Sequence, residues 1–170
     1  MAHPASPTSS PLPRRLAAAP GAKLALAGAG ELVSYGDLAD RAEALARALG
    51  GLAGAPVAFL AEPGPAHLAI LLGVLRAGGL AVPLSPLHTR PELEYLVANA
   101  APVRILATPS LRASLAAAAG VRGVEVIDAL AAGGALPEPP DAGAPAIMLY
   151  TSGTTGRPKG VRLSHAAVAA

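Results

Sequence analysis

Pro56-Val-Ala-Phe-Leu-Ala61, then Pro65-Ala-His-Leu-Ala-Ile-Leu-Leu-Gly-Val-Leu-Arg-Ala77, then Leu80-Ala-Val-Pro-Leu84: three apolar runs set the architecture of this chain. The first and third are short, aliphatic and uninterrupted, the composition of strands covered on both faces. The middle run is too long for a strand and is apolar on nearly all sides, as a buried helix is. Pro65 suits a first helical turn, and Gly78-Gly79 closes the helix. A strand–helix–strand unit of this kind predicts two parallel strands with a helix laid across them.

The same rhythm continues outward on both sides. Upstream, Lys23–Ala27 and Glu31–Ser34 are short strands around Gly28-Ala29-Gly30, a hairpin signal. Position 33 is Val, so Gly28-x-Gly30 lacks the third glycine of a dinucleotide fingerprint. Ser34 with Asp37 resembles a capping box opening a helix to Leu49, with Leu38, Ala42, Leu45 and Leu49 as its apolar stripe. Downstream, Arg90–Asn99 and Leu111–Ala119 are predicted helices, and Val103–Ala107 and Val124–Ile127 predicted strands. Gly133–Gly143 is a Pro/Gly/acid linker, followed by strands at Ala144–Tyr150 and Gly160–Leu163 and a helix capped by Ser164. The predicted class is α/β, a mostly parallel sheet flanked by helices. The last helix, Ala166–Ala170, has neither a glycine cap nor a terminal charge, so the domain is expected to be incomplete at its C-terminus. Residues 1–21, rich in Pro and Ser and free of acids, are expected to be a disordered tail, with 22–170 the folded part.

Composition removes several function classes. The chain holds 170 residues, 52% of them apolar but only 2% aromatic, and its formal charge is +2. With no basic run beyond Arg14-Arg15 and few aromatic platforms, nucleic-acid binding is not expected. No cysteine is present, which excludes disulfides, thiolate catalysis and cysteine-bound zinc. No run reaches the roughly 18 apolar residues of a membrane span, and a cytoplasmic location is expected. His3, His67, His88 and His165 are scattered without ligand spacing, so no metal site is predicted from them. Glu92 and Glu94, two apart, do not share a helical face as an acid/base pair would. Tyr35 and Tyr95 are read as packing residues.

Chemistry concentrates in Tyr150-Thr-Ser-Gly-Thr-Thr-Gly-Arg-Pro-Lys-Gly-Val161. Glycines at 153, 156 and 160 allow backbone conformations that let successive N–H groups converge on an anion. Thr151, Ser152, Thr154 and Thr155 add hydroxyl donors. Lys159 adds a mobile positive charge; it and Lys23 are the two lysines among 13 basic residues. Pro158 stiffens the approach to Lys159. The order of parts differs from a Walker A loop, where the lysine follows glycine and precedes the hydroxyl.

The segment Met148–Lys159 resembles the phosphate-loop signature of the adenylate-forming enzymes, a family of acyl-CoA synthetases, luciferases and the adenylation domains of peptide synthetases. Leu32–Leu38 resembles the family's early Leu-Thr-Tyr-x-Glu-Leu segment, and Leu75–Leu84 its Leu-Lys-Ala-Gly-x-x-x-Val-Pro-Leu segment. Ser85–Tyr95 looks most like acyl-CoA synthetases, including the malonyl-CoA synthetase branch. The resemblance covers about Leu24 to the end and identifies the chain as the N-terminal part of such an enzyme's AMP-binding domain. It implies a two-step ligase. A carboxylic acid attacks the α-phosphate of ATP to give an acyl-adenylate and pyrophosphate, and a thiol, usually coenzyme A, then takes the acyl group.

By the same resemblance, Thr151, Ser152, Gly153, Thr154, Thr155, Gly156 and Lys159 hold the β- and γ-phosphates, with Lys159 stabilising departing pyrophosphate. Mg2+ is implied as the partner of ATP. No acidic residue follows Asp141, so its protein ligand is not visible here. The adenine- and ribose-holding segments and the family's C-terminal lysine are expected downstream, and the chain alone is expected to be inactive. Two other readings stay open: an adenylation module of a carrier-protein assembly line, and an inactive nucleotide-binding fragment.

Overall fold

The computed structural model describes residues 11–28, 30–118, 123–131, 133–151 and 158–170. It opens on a short helix, α1 (Leu12–Ala17), and a hairpin of β1 (Leu24–Gly28) and β2 (Glu31–Ser34). Helix α2 (Tyr35–Leu49) starts as predicted. The Asp37 N–H donates to Ser34 Oγ at 3.1 Å, and the Ser34 N–H donates back to Asp37 Oδ2 at 3.1 Å. Alternating elements follow: β3 (Pro56–Leu60), α3 (Pro65–Arg76), β4 (Leu80–Leu84), α4 (Arg90–Ala100), β5 (Arg104–Ala107), α5 (Arg112–Ala116) and β6 (Val124–Val126). The chain ends with β7 (Pro145–Thr151), β8 (Lys159–Ser164) and α6 (His165–Ala169).

Six strands form one sheet in the order β6-β5-β3-β4-β7-β8. Every pairing in it is parallel except β7 with β8. The predicted class, a mainly parallel sheet flanked by helices, therefore holds, with one antiparallel strand at the edge. Side-chain alternation along the central strands feeds two cores. Val57, Phe59, Ala61, Ala81 and Leu106 join α2 and α3 on one face, while Ala58, Leu60, Val82, Ile105 and Ala107 join α4 and α5 on the other. Burial on both faces explains why these strands read as unbroken apolar runs.

Three details differ from the sequence reading. Residues 12–17, expected to belong to the disordered tail, are helical. Leu12 and Leu16 pack against the cores, and Arg15 Nη1 donates to the Ala169 carbonyl at 2.6 Å. Helix α5 is shorter than the alanine-rich run 111–119 suggested. Lys159, expected within the phosphate segment, begins a strand.

Candidate phosphate-binding edge

Strand β7 runs parallel to β4, through the Ala81–Ile147 pair, so its last residue, Thr151, reaches the carboxyl edge of the sheet. In open α/β folds that edge is where ligands bind. The antiparallel partner β8 brings Lys159 directly opposite Thr151 and Gly160 opposite Tyr150. Both Thr151 and Lys159 are exposed. Two of the predicted phosphate contacts, eight positions apart in sequence, thus become cross-strand neighbours whose side chains reach solvent together. Ser152, Gly153, Thr154, Thr155 and Gly156 lie outside the described residues.

The role expected for Gly160 changes. It sits in β8 without a positive φ, so backbone freedom is not its use. A Cβ there would lie 3.3 Å from Tyr150 Cε1 and closer still to the mobile end of Met148. The glycine instead leaves room for the buried Met148 side chain and, beside it, the edge of the Tyr150 ring.

Beside this edge lies a cavity of about 560 Å3 at the ends of β3, β4 and β7, lined among others by Gly64, His67, Ser85, His88 and Tyr150. The helices after β3 and β4 depart to opposite faces of the sheet, so the cavity sits where the winding direction reverses. His67 holds its ring edge-on to Phe59, with centroids 5.0 Å apart, and its buried Nδ1 has no hydrogen-bond partner among the described residues. His88 Nδ1 accepts from the Ser85 N–H at 3.2 Å, which fixes the turn after β4. A second cavity, about 480 Å3, lies between α2, α3 and residues 127–131. Its cation, Arg41, is engaged by Glu31 at 2.9 Å, which leaves little charge to offer an anion.

At this edge the described residues offer a hydroxyl and an ammonium, donors suited to an anion rather than to a cation. Among the described residues no group of three or more His, Asp or Glu side chains could hold a metal. The carboxylate at this edge, Glu62, accepts from Ser110 Oγ and from Thr108 Oγ1, the latter at 2.6 Å. These hydroxyl bonds, that from Ser110 foremost, hold its carboxyl below the ordinary value.

Sequence reasoning missed the supports of the edge. The Tyr95 hydroxyl donates to the Pro158 carbonyl at 2.9 Å. The Tyr150 hydroxyl lies 2.9 Å from Asn99 Oδ1 and 3.2 Å from the Leu96 carbonyl. Burial, foremost, pushes the Tyr150 phenol above its ordinary value, with the neighbouring Tyr95 adding to it. The spacing of Tyr95 and Asn99 shows that they share a face of α4, but nothing local indicates what that face meets.

A family model described as AMP-binding enzyme matches residues 13–170. The isonitrile lipopeptide synthase of Mycobacterium tuberculosis is 34% identical over 168 residues, which cover 94% of this chain and 7% of that protein. A feruloyl-CoA synthase of an Amycolatopsis species is 35% identical over 147 residues, covering 80% of this chain and 29% of that protein. ATP-bound MatB from Rhodopseudomonas palustris superposes with a TM-score of 0.72 at 35% identity, over 91% of this chain and 34% of that chain. The chain therefore spans a minor part of the proteins it matches. No described helix is long and apolar enough to cross a membrane.

Proposed function

Because the chain belongs to the adenylate-forming, AMP-binding enzyme family, we propose that it is the ATP-phosphate-binding part of an acid–thiol ligase of the acyl-CoA synthetase type. In that reaction a carboxylate oxygen attacks the α-phosphorus of ATP and the bond to the β-phosphate bridge breaks, releasing pyrophosphate. A thiol, here coenzyme A, then displaces AMP from the acyl-adenylate. The chain's share of the work is to hold phosphoryl oxygens and neutralise charge as it develops on the leaving group, work that depends on positioning.

The observation that carries this reading is the cross-strand placement of Thr151 and Lys159 at the carboxyl edge of a parallel sheet. A hydroxyl and an ammonium presented side by side there suit the β- and γ-phosphates, with Ser152, Gly153, Thr154, Thr155 and Gly156 supplying further donors between them. Lys159 is assigned the charge on departing pyrophosphate. Mg2+, when bound with ATP, would offset phosphate charge; its protein ligands are assigned to residues outside this chain.

A second reading rests on the likeness to the lipopeptide synthase, 34% identical over nearly the whole chain. In it the same edge serves an adenylation module whose acceptor is a carrier-protein thiol. Support for coenzyme A as the acceptor comes from the resemblance of Ser85–Tyr95 to malonyl-CoA synthetases and from the likeness to a feruloyl-CoA synthase. The deciding experiment uses a protein extended through its downstream parts. Pyrophosphate release is assayed over a panel of carboxylic acids, with coenzyme A and a phosphopantetheinylated carrier protein as competing acceptors. Acyl transfer to coenzyme A is expected; transfer to the carrier alone selects the second reading, and no pyrophosphate release with any acid discards both.

A further inference from the structure

Two hydrogen bonds reach from one helix to the two sides of the β7–β8 connection. Tyr95 and Asn99 stand one turn apart on α4. Tyr95 holds the carbonyl of Pro158, the residue immediately before Lys159. Asn99 Oδ1, with the Leu96 carbonyl of the same helix as a longer second acceptor, holds the hydroxyl of Tyr150, the residue immediately before Thr151. Each anchored residue is the chain neighbour of one expected phosphate contact, and those contacts pair directly across the strands. Helix α4 is itself immobilised. Leu93, Leu96, Val97 and Ala100 are buried in the core beneath it, and its first turn is fixed by the Glu92 carboxylate, which accepts the Thr89 N–H at 2.6 Å.

We propose that Tyr95 and Asn99 are positioning residues, which lock Thr151 and Lys159 at a fixed separation and so set the geometry in which the edge meets a polyphosphate. The inference rests on the phosphate reading above and adds to it the helix that imposes the geometry. The physical reason is entropy. Lysine carries a long, flexible stem, and an unanchored strand end lets its ammonium sample space away from the anion. Fixing the preceding carbonyl removes backbone freedom before the ligand arrives, so less ordering is left for binding to supply. A packing role for Tyr95 alone would be kept by phenylalanine, which retains the ring; the positioning role requires the hydroxyl.

The test measures amide deuterium uptake in the peptide 150–160 and, separately, calorimetric affinity for ATP with magnesium, both on this chain. Tyr95→Phe is expected to speed uptake severalfold in that peptide. Asn99→Ala, which leaves the Tyr150 hydroxyl its longer bond to the Leu96 carbonyl, is expected to speed it measurably but less. In both, the thermal midpoint stays within a few degrees; alanine favours helix, so α4 survives the second substitution. Asn99→Asp keeps an acceptor for the Tyr150 hydroxyl and is expected to restore slow uptake. Tyr95→Phe is expected to weaken ATP about 2- to 12-fold, the range of one net hydrogen bond. Uptake equal in all variants overturns the clamp. Faster uptake with unchanged ATP affinity overturns its positioning role. Failure of the unsubstituted chain to bind ATP, with the uptake differences intact, instead overturns the phosphate reading and reduces α4 to a structural tie.

Discussion

Lys159 is an exposed side chain whose charge meets no described carboxylate in an ion pair, and it is one of only two lysines among 13 basic residues. Replacing it by alanine is expected to leave the thermal midpoint unchanged, since an exposed strand-end cation contributes little to stability. ATP affinity of the chain should fall by about tenfold or more, the range for a hydrogen bond to a charged group. Equal affinity in both forms would remove Lys159 from the site. A second residue-scale consequence concerns His165. It is fully buried at the start of α6, and neither ring nitrogen has a partner among the described residues. Burial pushes its pKa below the ordinary 6.5. The unfolded chain therefore takes up the proton first as pH falls, and stability is expected to decline below about pH 6.5. The hydrogen-bonded carboxylates Glu31, Asp37, Glu62 and Glu92 are held below their ordinary 3.8–4.5 and titrate in a lower window. Melting midpoints at pH 7.5 and 5.5 should differ in the native chain and differ less in His165→Gln; equal slopes contradict the assignment. Residue types at the candidate edge were legible from sequence because glycine, hydroxyl and lysine chemistry declares itself locally. The Tyr95–Pro158 and Asn99–Tyr150 bonds were not, since they join positions 63 and 51 apart.

Among the elements, those with a strong local signal agreed with their sequence reading and those held by distant contacts did not. Strands β3 and β4 declare themselves as apolar runs between glycine and proline, and α2 by its capping box and stripe. Helix α1 carries no such signal: six residues flanked by prolines, stabilised by a guanidinium bonded to a carbonyl 154 positions away. The antiparallel sense of β8 was equally hidden, because a short strand following a glycine-rich segment has no local mark of direction. Packing of α2 against α3 gives the element-scale prediction. A Cβ on Gly73 would stand 2.8 Å from Leu45 Cβ and 3.0 Å from the Ala42 carbonyl. Alanine would gain about 0.5–1 kcal/mol of helix propensity, whereas forcing the two helices apart costs roughly 1–3 kcal/mol. Gly73→Ala is therefore expected to lower the urea midpoint. Gly51→Ala, where nothing lies within 4 Å and φ is not positive, should leave it nearly unchanged. A raised midpoint for Gly73→Ala would mean that the helix contact is looser than described.

At the scale of the whole molecule, what matters is which parts of the reaction this chain can supply. Its parallel sheet, with both faces buried, gives the edge a rigid base, and β7 and β8 carry two of the expected phosphate contacts to it. Apolar side chains nearby, Leu149 at 43% and Val161 at 44% exposure, leave that hairpin without the cover that would exclude water from a reacting centre. No described cluster could hold the metal that partners ATP, and Glu62 is already bonded to two hydroxyls. On the proposed reading, the stabilisation that Lys159 offers a departing pyrophosphate acts only once a carboxylate is aligned on the α-phosphorus, and the described residues supply neither that alignment nor a metal cluster. The chain is therefore expected to bind ATP while failing to exchange labelled pyrophosphate into it, with any carboxylic acid present. The same assay on a protein that continues through its downstream parts should show acid-dependent exchange. Exchange above background by this chain, abolished by Lys159→Ala so that a contaminating enzyme is excluded, would show that the edge alone assembles a competent site.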